Sequence, residues 1–346
     1  MILYHNASLH ETAVHFVGNP SNEEPLTISE SLLSVSDEDQ ARLLEYFMHS
    51  FKPEEFYTFD SAESEVLPYI AKMFEGGDAF LEASQAIASH LYDVSVHPKI
   101  LPGDLFIGRI RELNLHGEFC DGIVFIKAEV EDHFAQVEWK DKHSGLAFSQ
   151  GYRLNRIDKA CLVLSLEPGD GYRVLVVDKT NGNAGEAQYW TDAFLGLQAL
   201  ADSYHHTQQF MQVTREYLRE KMPEEFQVSP AEQIALLNKS SNFFKSKDKF
   251  ELEEFADDVF KDDDVASSFR NFTKNYSEDP EHSITEAFDI SKSAVKKHAG
   301  MFKSVLKLDK NFHIYVHGNR QLIERGYDEE KGMNYYKVFF NNEAAS

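Results

Sequence analysis

The stretch from residue 104 to residue 177 places the tightest limit on the fold, because its apolar residues follow the spacing of β-strands. Five runs rich in Ile, Val, Leu and Phe are predicted as strands: 105–110, 122–128, 135–140, 161–166 and 172–177. Segments of turn composition, such as 141–145 and 168–171, separate some of them. We find no helical pattern between the runs of the kind that joins parallel strands. The stretch therefore predicts an antiparallel meander rather than βαβ units.

Both flanks of this stretch have the apolar spacing of helices. Between residues 36 and 96 we predict three helices, the first of which follows Ser36 with the serine-to-acid spacing of a capping box. Past residue 190 the chain is predicted to be helical again, up to a boundary at Pro223. Phe-rich helices are then predicted at 231–244, 249–260 and 265–276, and short strands at 305–308, 312–317 and 335–340.

These patterns predict an α+β protein of two parts. Residues 1–222 form a helix-flanked antiparallel sheet domain, made of helices, a meander and further helices. Residues 223–346 form an acidic, mainly helical part that closes with a basic segment of short strands. With 42% hydrophobic and 13% aromatic residues, the 346-residue chain has far more burial capacity than a disordered protein.

The net charge limits the classes of partner. The chain has 34 basic and 58 acidic residues, a formal net charge of −24, so it repels polyanions as a whole and needs a local basic surface to bind nucleic acid. Two cysteines exclude a disulfide-rich secreted scaffold and predict a reducing cytoplasmic location. No window approaches the roughly 20 apolar residues of a membrane span, so no membrane partner is expected.

The last 55 residues are the one basic stretch. Residues 292–346 contain 10 basic and 6 acidic residues, and they follow the most acidic run, 251–264, in which eight of fourteen positions are Asp or Glu. We predict that the basic residues of this stretch contact DNA phosphates: Lys292, Lys296, Lys297, Lys303, Lys307, Arg320 and Arg325. The alternative is a solvated face that balances the acidic run of the same part. The many Phe residues at helical spacing are predicted to be core residues.

Enzymatic chemistry has one candidate constellation. Asp121 opens one predicted strand, and Glu138 and Lys140 share a face of the next, an arrangement by which restriction-type nucleases hold Mg²⁺. His313 and His317 lie on one strand face but about 13 Å apart at about 3.3 Å per residue, too far for one metal ion. No nucleophile motif or phosphate-binding loop is present. We therefore predict no catalytic residues, no metal and no cofactor, with the Mg²⁺-dependent nuclease kept as an alternative.

Two segments resemble a known family. They are WTDAFLG at 190–196 and LDKNFHIYVHG at 308–318, the second followed by the predicted strand 335–340. Together they resemble the bacterial 37-kilodalton nucleoid-associated protein family, in the branch found in Bacteroidetes-like bacteria. The resemblance lies in the arrangement of segments over nearly the whole chain. It implies a non-enzymatic protein of the cytoplasm and nucleoid that binds double-stranded DNA or a DNA-bound protein.

The net charge of −24 leaves two modes of nucleoid association open. Either the basic C-terminal surface contacts double-stranded DNA without sequence preference, or the chain is an acidic adaptor or DNA mimic that a basic protein partner recruits. A homodimer is also left open, since no heptad pattern marks a coiled-coil seam.

Overall fold

The computed structural model describes residues 2–178, 189–277, 284–302, 305–308, 312–315 and 323–340. The chain divides into two compact units, Met1–Leu200 and Ala201–Ser346. Within the described ranges, no helix is long and apolar enough to cross a membrane.

The first unit combines a large sheet with three helices. Its elements, in chain order, are β1 (Ile2–Leu3), β2 (Ser8–Val17), β3 (Leu26–Thr27), α1 (Asp37–Met48), β4 (Tyr57–Phe59), α2 (Leu67–Glu75), α3 (Asp78–Val94), β5 (Gly103–Leu115), β6 (Glu118–Ala128), β7 (Asp132–Lys140), β8 (His143–Gly151), β9 (Lys159–Leu164), β10 (Arg173–Asp178) and β11 (Leu197–Ala199). The three predicted helices are present. Ser36 caps the first by accepting a hydrogen bond from the Asp39 backbone amide.

The sheet is antiparallel throughout and confirms four of the five strands of the predicted meander, as β5, β6, β9 and β10; the prediction was wrong for 135–140, which lies in β7 outside the sheet. Its strand order is β11-β4-β10-β9-β6-β5-β2-β3, and β1 pairs with β5. Strands β7 and β8 pair only with each other and form a separate hairpin between β6 and β9. Six strands of this unit were not predicted, namely β1, β2, β3, β4, β8 and β11, and the longest of them are β2 and β8. Polar residues interrupt the apolar run of β2, and Ser and Gly give β8 the composition of a turn, yet cross-strand pairing makes both extended.

Helices cover both faces of this sheet. Successive residues of a strand point to opposite faces, so Ile123 and Phe125 pack with α2 and α3 whereas Val124 and Ile126 pack with Phe47 and its neighbours on α1. Because both faces are buried, the central strands have nearly continuous apolar sequences instead of an apolar–polar alternation.

The second unit is mainly helical. Its elements are α4 (Ser203–Glu216), a π-helical turn (Tyr217–Lys221), α5 (Met222–Glu225), α6 (Pro230–Ser246), β12 (Lys249–Glu251), α7 (Leu252–Val259), α8 (Asp263–Tyr276), β13 (Ala287–Asp289), α9 (Lys292–His298), β14 (Val305–Leu308), β15 (Phe312–Tyr315), β16 (Ile323–Asp328) and β17 (Met333–Val338). The strands form three two-stranded ladders: β12 with β13, β14 with β15, and β16 with β17.

A phenylalanine-rich core holds this unit together. Phe244, Phe250 and Phe255 are fully buried and pack with Phe210 of α4. Because α4 contributes to this core, the division of the chain lies 22 residues before the predicted one at 222/223. Pro223 does not end the helical segment, since it lies in the first turn of α5, where a missing amide proton costs nothing.

Candidate nucleic-acid interface

Helix α9 carries three of the seven predicted phosphate contacts. Its N-cap is Ser291, whose hydroxyl accepts from the Ala294 amide at 3.3 Å and whose own amide donates to the Thr207 hydroxyl at 3.0 Å. Ala294 and Val295 are buried, and the lysines occupy the exposed positions. The apolar pair therefore anchors the helix in the core of the second unit, and the cap attaches its beginning to α4.

Lys292 is engaged within the protein. Its ammonium group donates to the backbone carbonyls of Lys245 and Lys247, at the carboxyl end of α6, and forms an ion pair with Asp248 at 3.0 Å. Carbonyls at the end of a helix lack helical partners and carry partial negative charge, so a lysine there satisfies them. These contacts direct the ammonium group of Lys292 toward the end of α6, although half of its side chain remains exposed.

Lys296 and Lys297 are exposed at the carboxyl end of α9, where the helix dipole favours cations. The ammonium group of Lys297 lies 5.6 Å from the centre of the Tyr204 ring, and the Tyr204 hydroxyl is 3.3 Å from His298 Nε2. This cation–π contact orients the Lys297 side chain. These two adjacent lysines are the side chains of α9 best placed to meet a phosphate backbone.

The other predicted contacts are distributed over the following segment. Lys307 is on β14, and Arg325 is on β16 opposite Tyr336. Lys303 and Arg320 lie outside the described residues, as does His317 of the histidine pair. The structure therefore brings Lys292, Lys296 and Lys297 together on one helix and assigns Lys307 and Arg325 to two different hairpins.

The β16–β17 hairpin adds an aromatic surface that the sequence analysis did not single out. Tyr327, Tyr335 and Phe340 are exposed there, and Lys337 lies 5.6 Å from the centre of the Phe339 ring. Tyr335 lies across Gly326, where a Cβ atom would collide with its ring. The interpretation of Phe as core concerned residues at helical spacing, so it did not cover Phe339 and Phe340, which follow β17 and are exposed. The available signal was the cluster of Tyr, Phe and Lys in 335–340 within the basic stretch.

The acidic run 251–264 has its own internal cations. On α7, Glu253 and Asp257 lie one helical turn apart, and both bind the Arg270 guanidinium at 2.8 Å. A second pair one turn apart, Glu254 and Asp258, faces Lys247. The hydrogen bond to Glu254 raises the pKa of Lys247. Two rows of carboxylates at a Cβ spacing of about 5–6 Å therefore follow α7, each with one bound cation.

The nuclease constellation is not assembled in the sheet. Asp121 lies near the start of β6, whose two edges are taken by β5 and β9, and its carboxylate accepts from the Glu112 amide at 3.4 Å. Glu138 and Lys140 are exposed on β7, which pairs with β8 alone. In the part of the chain that the structure describes, no group of three or more His, Cys, Asp or Glu could hold a metal ion.

A comparison with protein families identifies the chain. The family model described as nucleoid-associated protein YejK matches residues 13–343, which include nearly all of both units. The chain belongs to this family. Membership confirms the predicted family, though not the predicted branch, and associates the chain with the nucleoid. Among curated proteins, no significant match is found.

Proposed function

We propose that this nucleoid-associated protein binds double-stranded DNA without sequence preference and without catalysis. We assign the contacts to a basic surface of the second unit that includes Lys296 and Lys297, and to which the sequence of the basic stretch adds Lys303, Lys307, Arg320 and Arg325. The observation that carries the proposal is the exposure of Lys296 and Lys297 side by side on a helix anchored by buried residues. Lys292 contributes by holding the beginning of that helix against the end of α6.

Lysine contacts of this kind position a protein on DNA and do not read its sequence. Ammonium groups on exposed side chains neutralise phosphates, which are the same at every base pair. A chain with a net charge of −24 gains affinity only from such a local surface, so binding is weak and declines steeply with salt.

The internal ion pairs of the acidic run support this mode. Arg270 and Lys247 bind four of the eight carboxylates between residues 251 and 264, which lowers the local negative charge of the unit. A phosphate backbone near α9 therefore meets less repulsion than the composition suggests.

The test is a salt titration of binding to a generic duplex of a few helical turns. The logarithm of the wild-type binding constant should fall linearly with the logarithm of the salt concentration. Replacing Lys296 with Ala should reduce the slope by about 0.9, the value for one lost phosphate contact. Lys274→Ala is the matched control, because Lys274 is an exposed helical lysine of the same unit outside the basic stretch. An unchanged slope in Lys296→Ala, or equal losses in both variants, would contradict the proposal.

Charge reversal gives a second, stronger test. Replacing Lys296, Lys297 and Lys303 with Glu should abolish binding at low salt, because three attractive contacts become repulsive. Binding that survives this change would rule out the basic surface as the DNA contact.

An acidic adaptor is the second candidate, favoured by the two carboxylate rows on α7. Glu253 and Asp257 remain largely exposed although both bind Arg270, so they are accessible to a basic protein that is itself bound to DNA. This function predicts no binding of wild-type protein to naked duplex even at low salt. It also predicts that the pair Glu253→Gln and Asp257→Asn weakens capture of a basic nucleoid protein.

A further inference from the structure

The last turn of α4 holds an arginine with a buried donor that no described residue accepts. Arg215 is partly buried there, and its Nε–H group is shielded from water. Within the part of the chain that the structure describes, this group forms no hydrogen bond, and the Arg215 guanidinium forms no ion pair. Buried polar groups in proteins are nearly always hydrogen-bonded, so this donor favours a bound ligand as its acceptor.

A second arginine lies one turn further along. Arg219 belongs to the π-helical turn Tyr217–Lys221, which continues α4 directly, and it is exposed. Residues four apart on a helix have Cβ atoms about 5–6 Å apart, so the two guanidinium groups are neighbours. Burial and the positive charge of Arg215 lower the pKa of Arg219. Two like charges on adjacent turns are unfavourable, and a bridging anion removes that cost. We call Arg215 and Arg219 the arginine pair.

The acidic side chains next to the arginine pair in the sequence have other partners. Glu216 accepts a hydrogen bond from the Gln212 amide at 3.0 Å. Glu224 and Glu225 form ion pairs with Lys221 at 3.5 Å and 3.3 Å. These carboxylates are therefore engaged with neutral or basic groups other than Arg215.

The backbone between the two arginines is held firmly. Tyr217 is fully buried, its hydroxyl donates to the Val265 carbonyl at 3.1 Å, and its ring centre lies 5.1 Å from that of Phe269. The next residue, Leu218, is also fully buried, and its carbonyl accepts from the Gln233 side-chain amide at 3.3 Å. The packing fixes where the arginine pair leaves the helix, which lowers the entropy cost of binding a ligand.

We propose that the arginine pair is a binding site for one phosphate group. A guanidinium presents its donors in a planar fork that matches two oxygens of a phosphate, and charge-assisted hydrogen bonds of this kind are strong. The Nε–H of Arg215 is one edge of such a fork. The inference goes beyond the proposed function, because it adds a phosphate site outside the basic stretch 292–346.

The chemistry favours phosphate over a carboxylate. The chain has 58 acidic residues, yet no carboxylate of the described residues is paired with Arg215. A carboxylate has two oxygens and one charge, whereas a terminal phosphate group has three acceptor oxygens and a charge of about −1.5 to −2. Two adjacent guanidinium groups match the larger number of oxygens and the larger charge.

The phosphate has two sources of the same chemistry, the backbone of a DNA duplex and a small phosphorylated molecule. The position of the pair is compatible with DNA. Tyr204, which contacts Lys297, lies on nearly the same face of α4 as Arg215 and about 16 Å away along the helix axis, at about 1.5 Å per residue. Lys297 and the arginine pair are thus placed to contact one phosphate backbone at two points. If DNA is the source, the inference rests on the proposed function.

The first experiment is calorimetric titration of the full chain with inorganic phosphate, with chloride replaced so that ionic strength stays constant. Replacing both Arg215 and Arg219 with Gln should raise the dissociation constant roughly tenfold or more, because the charge-assisted hydrogen bonds are lost. The control replaces Arg42 and Lys274 with Gln, which removes the same charge from two other exposed helical positions. It should bind phosphate like wild type. Replacing the arginine pair with two Lys keeps the charge but not the fork, and should restore only part of the affinity.

The second experiment separates the two sources. In the salt titration of duplex binding, the glutamine variant should lower the slope by about 0.9 if the pair holds one backbone phosphate. A lowered slope identifies DNA as the source. An unchanged slope with weakened phosphate binding identifies a small phosphorylated molecule. The slope of Lys296→Ala reports separately on the proposed function, so the two proposals can fail independently.

Three results would overturn the phosphate site. These are a glutamine variant that equals wild type in both assays, a charge-matched control that loses as much as the glutamine variant, and a lysine variant that binds as tightly as wild type. Far-UV circular dichroism verifies folding, which is expected because Gln and Lys are good helix formers.

Discussion

Replacing Lys127 with Met should destabilise the first unit strongly, although Met has a similar volume. Lys127 is fully buried, and its ammonium group donates to the Leu101 carbonyl at 2.7 Å and to the Tyr189 hydroxyl at 3.4 Å. It also lies 3.3 Å from a carboxylate oxygen of Glu129, whose side chain is nearly as buried. The substitution removes this ion pair. The Glu129 carboxylate then keeps the hydrogen bond that the Tyr189 hydroxyl donates to it.

The expected loss is about 3–5 kcal/mol, the cost of removing one partner from a buried ion pair. Removing both charges with Lys127→Met and Glu129→Gln should restore most of it, because no isolated buried charge remains. Burial already raises the pKa of Glu129, against the opposing effect of Lys127, and loss of the lysine raises it further. The folded single variant then binds a proton more tightly than the unfolded chain. Its deficit is therefore smallest at low pH and grows as pH rises through the raised pKa.

The assay is urea unfolding of wild type, the single variant and the double variant at pH 5 and pH 7, followed by the fluorescence of Trp190 in the core of the first unit. A single variant within about 1 kcal/mol of wild type would refute the reasoning, since a buried unpaired charge costs more than that. A double variant as unstable as the single one would do the same, because it would attribute the loss to packing.

Three further predictions concern stability. Burial lowers the pKa of His15 to about 4, and its Nδ1 accepts a hydrogen bond from the Ser29 amide at 3.1 Å. The free energy of unfolding should therefore fall by up to about 3 kcal/mol between pH 6.5 and pH 4. His15→Gln should flatten this pH profile in urea unfolding. Phe250→Ala removes a fully buried ring whose centre is 4.0 Å from that of Phe210. The free energy of unfolding in guanidinium should fall by about 3–5 kcal/mol. A loss below about 1 kcal/mol would contradict the assignment of Phe250 to the core. Lys292→Ala should cost about 1 kcal/mol of stability and leave the salt slope of DNA binding unchanged; a slope lowered as in Lys296→Ala would instead make Lys292 a phosphate contact.

The architecture of the first unit was predictable because its signals are local. Apolar runs of strand length and short separators indicated the meander, and helical spacing with a capping serine indicated α1. The strand β8 was not predictable in this way, since its Ser and Gly residues are extended only because β7 pairs with them along nine positions. The start of the second unit was hidden for a related reason, because the core contact of Phe210 with Phe250 joins residues 40 positions apart.

The basic residues of the candidate site were likewise predictable only in part from the sequence. Segment charges identified the basic stretch, because charge is a property of composition and needs no partner. Lys292 and Lys296 are four positions apart on one helix and look equivalent in the sequence. Both side chains are exposed, yet the ammonium group of Lys292 contacts the end of α6 and Asp248, whereas Lys296 forms no such ion pair within the described residues. Which lysine remains available depends on distant backbone carbonyls that no local pattern reports.

The sequence by itself determined the fold class, the helices and strands with strong periodicity, the family and the basic end of an acidic chain. Each of these depends on spacing or composition within a short window. Only the tertiary structure decided which cations are internally paired, and that the apolar residues of the β7–β8 hairpin share one uncovered face. The physical reason is that exposure and ion pairing depend on distances between residues far apart in the chain, and those distances exist only once the core has formed.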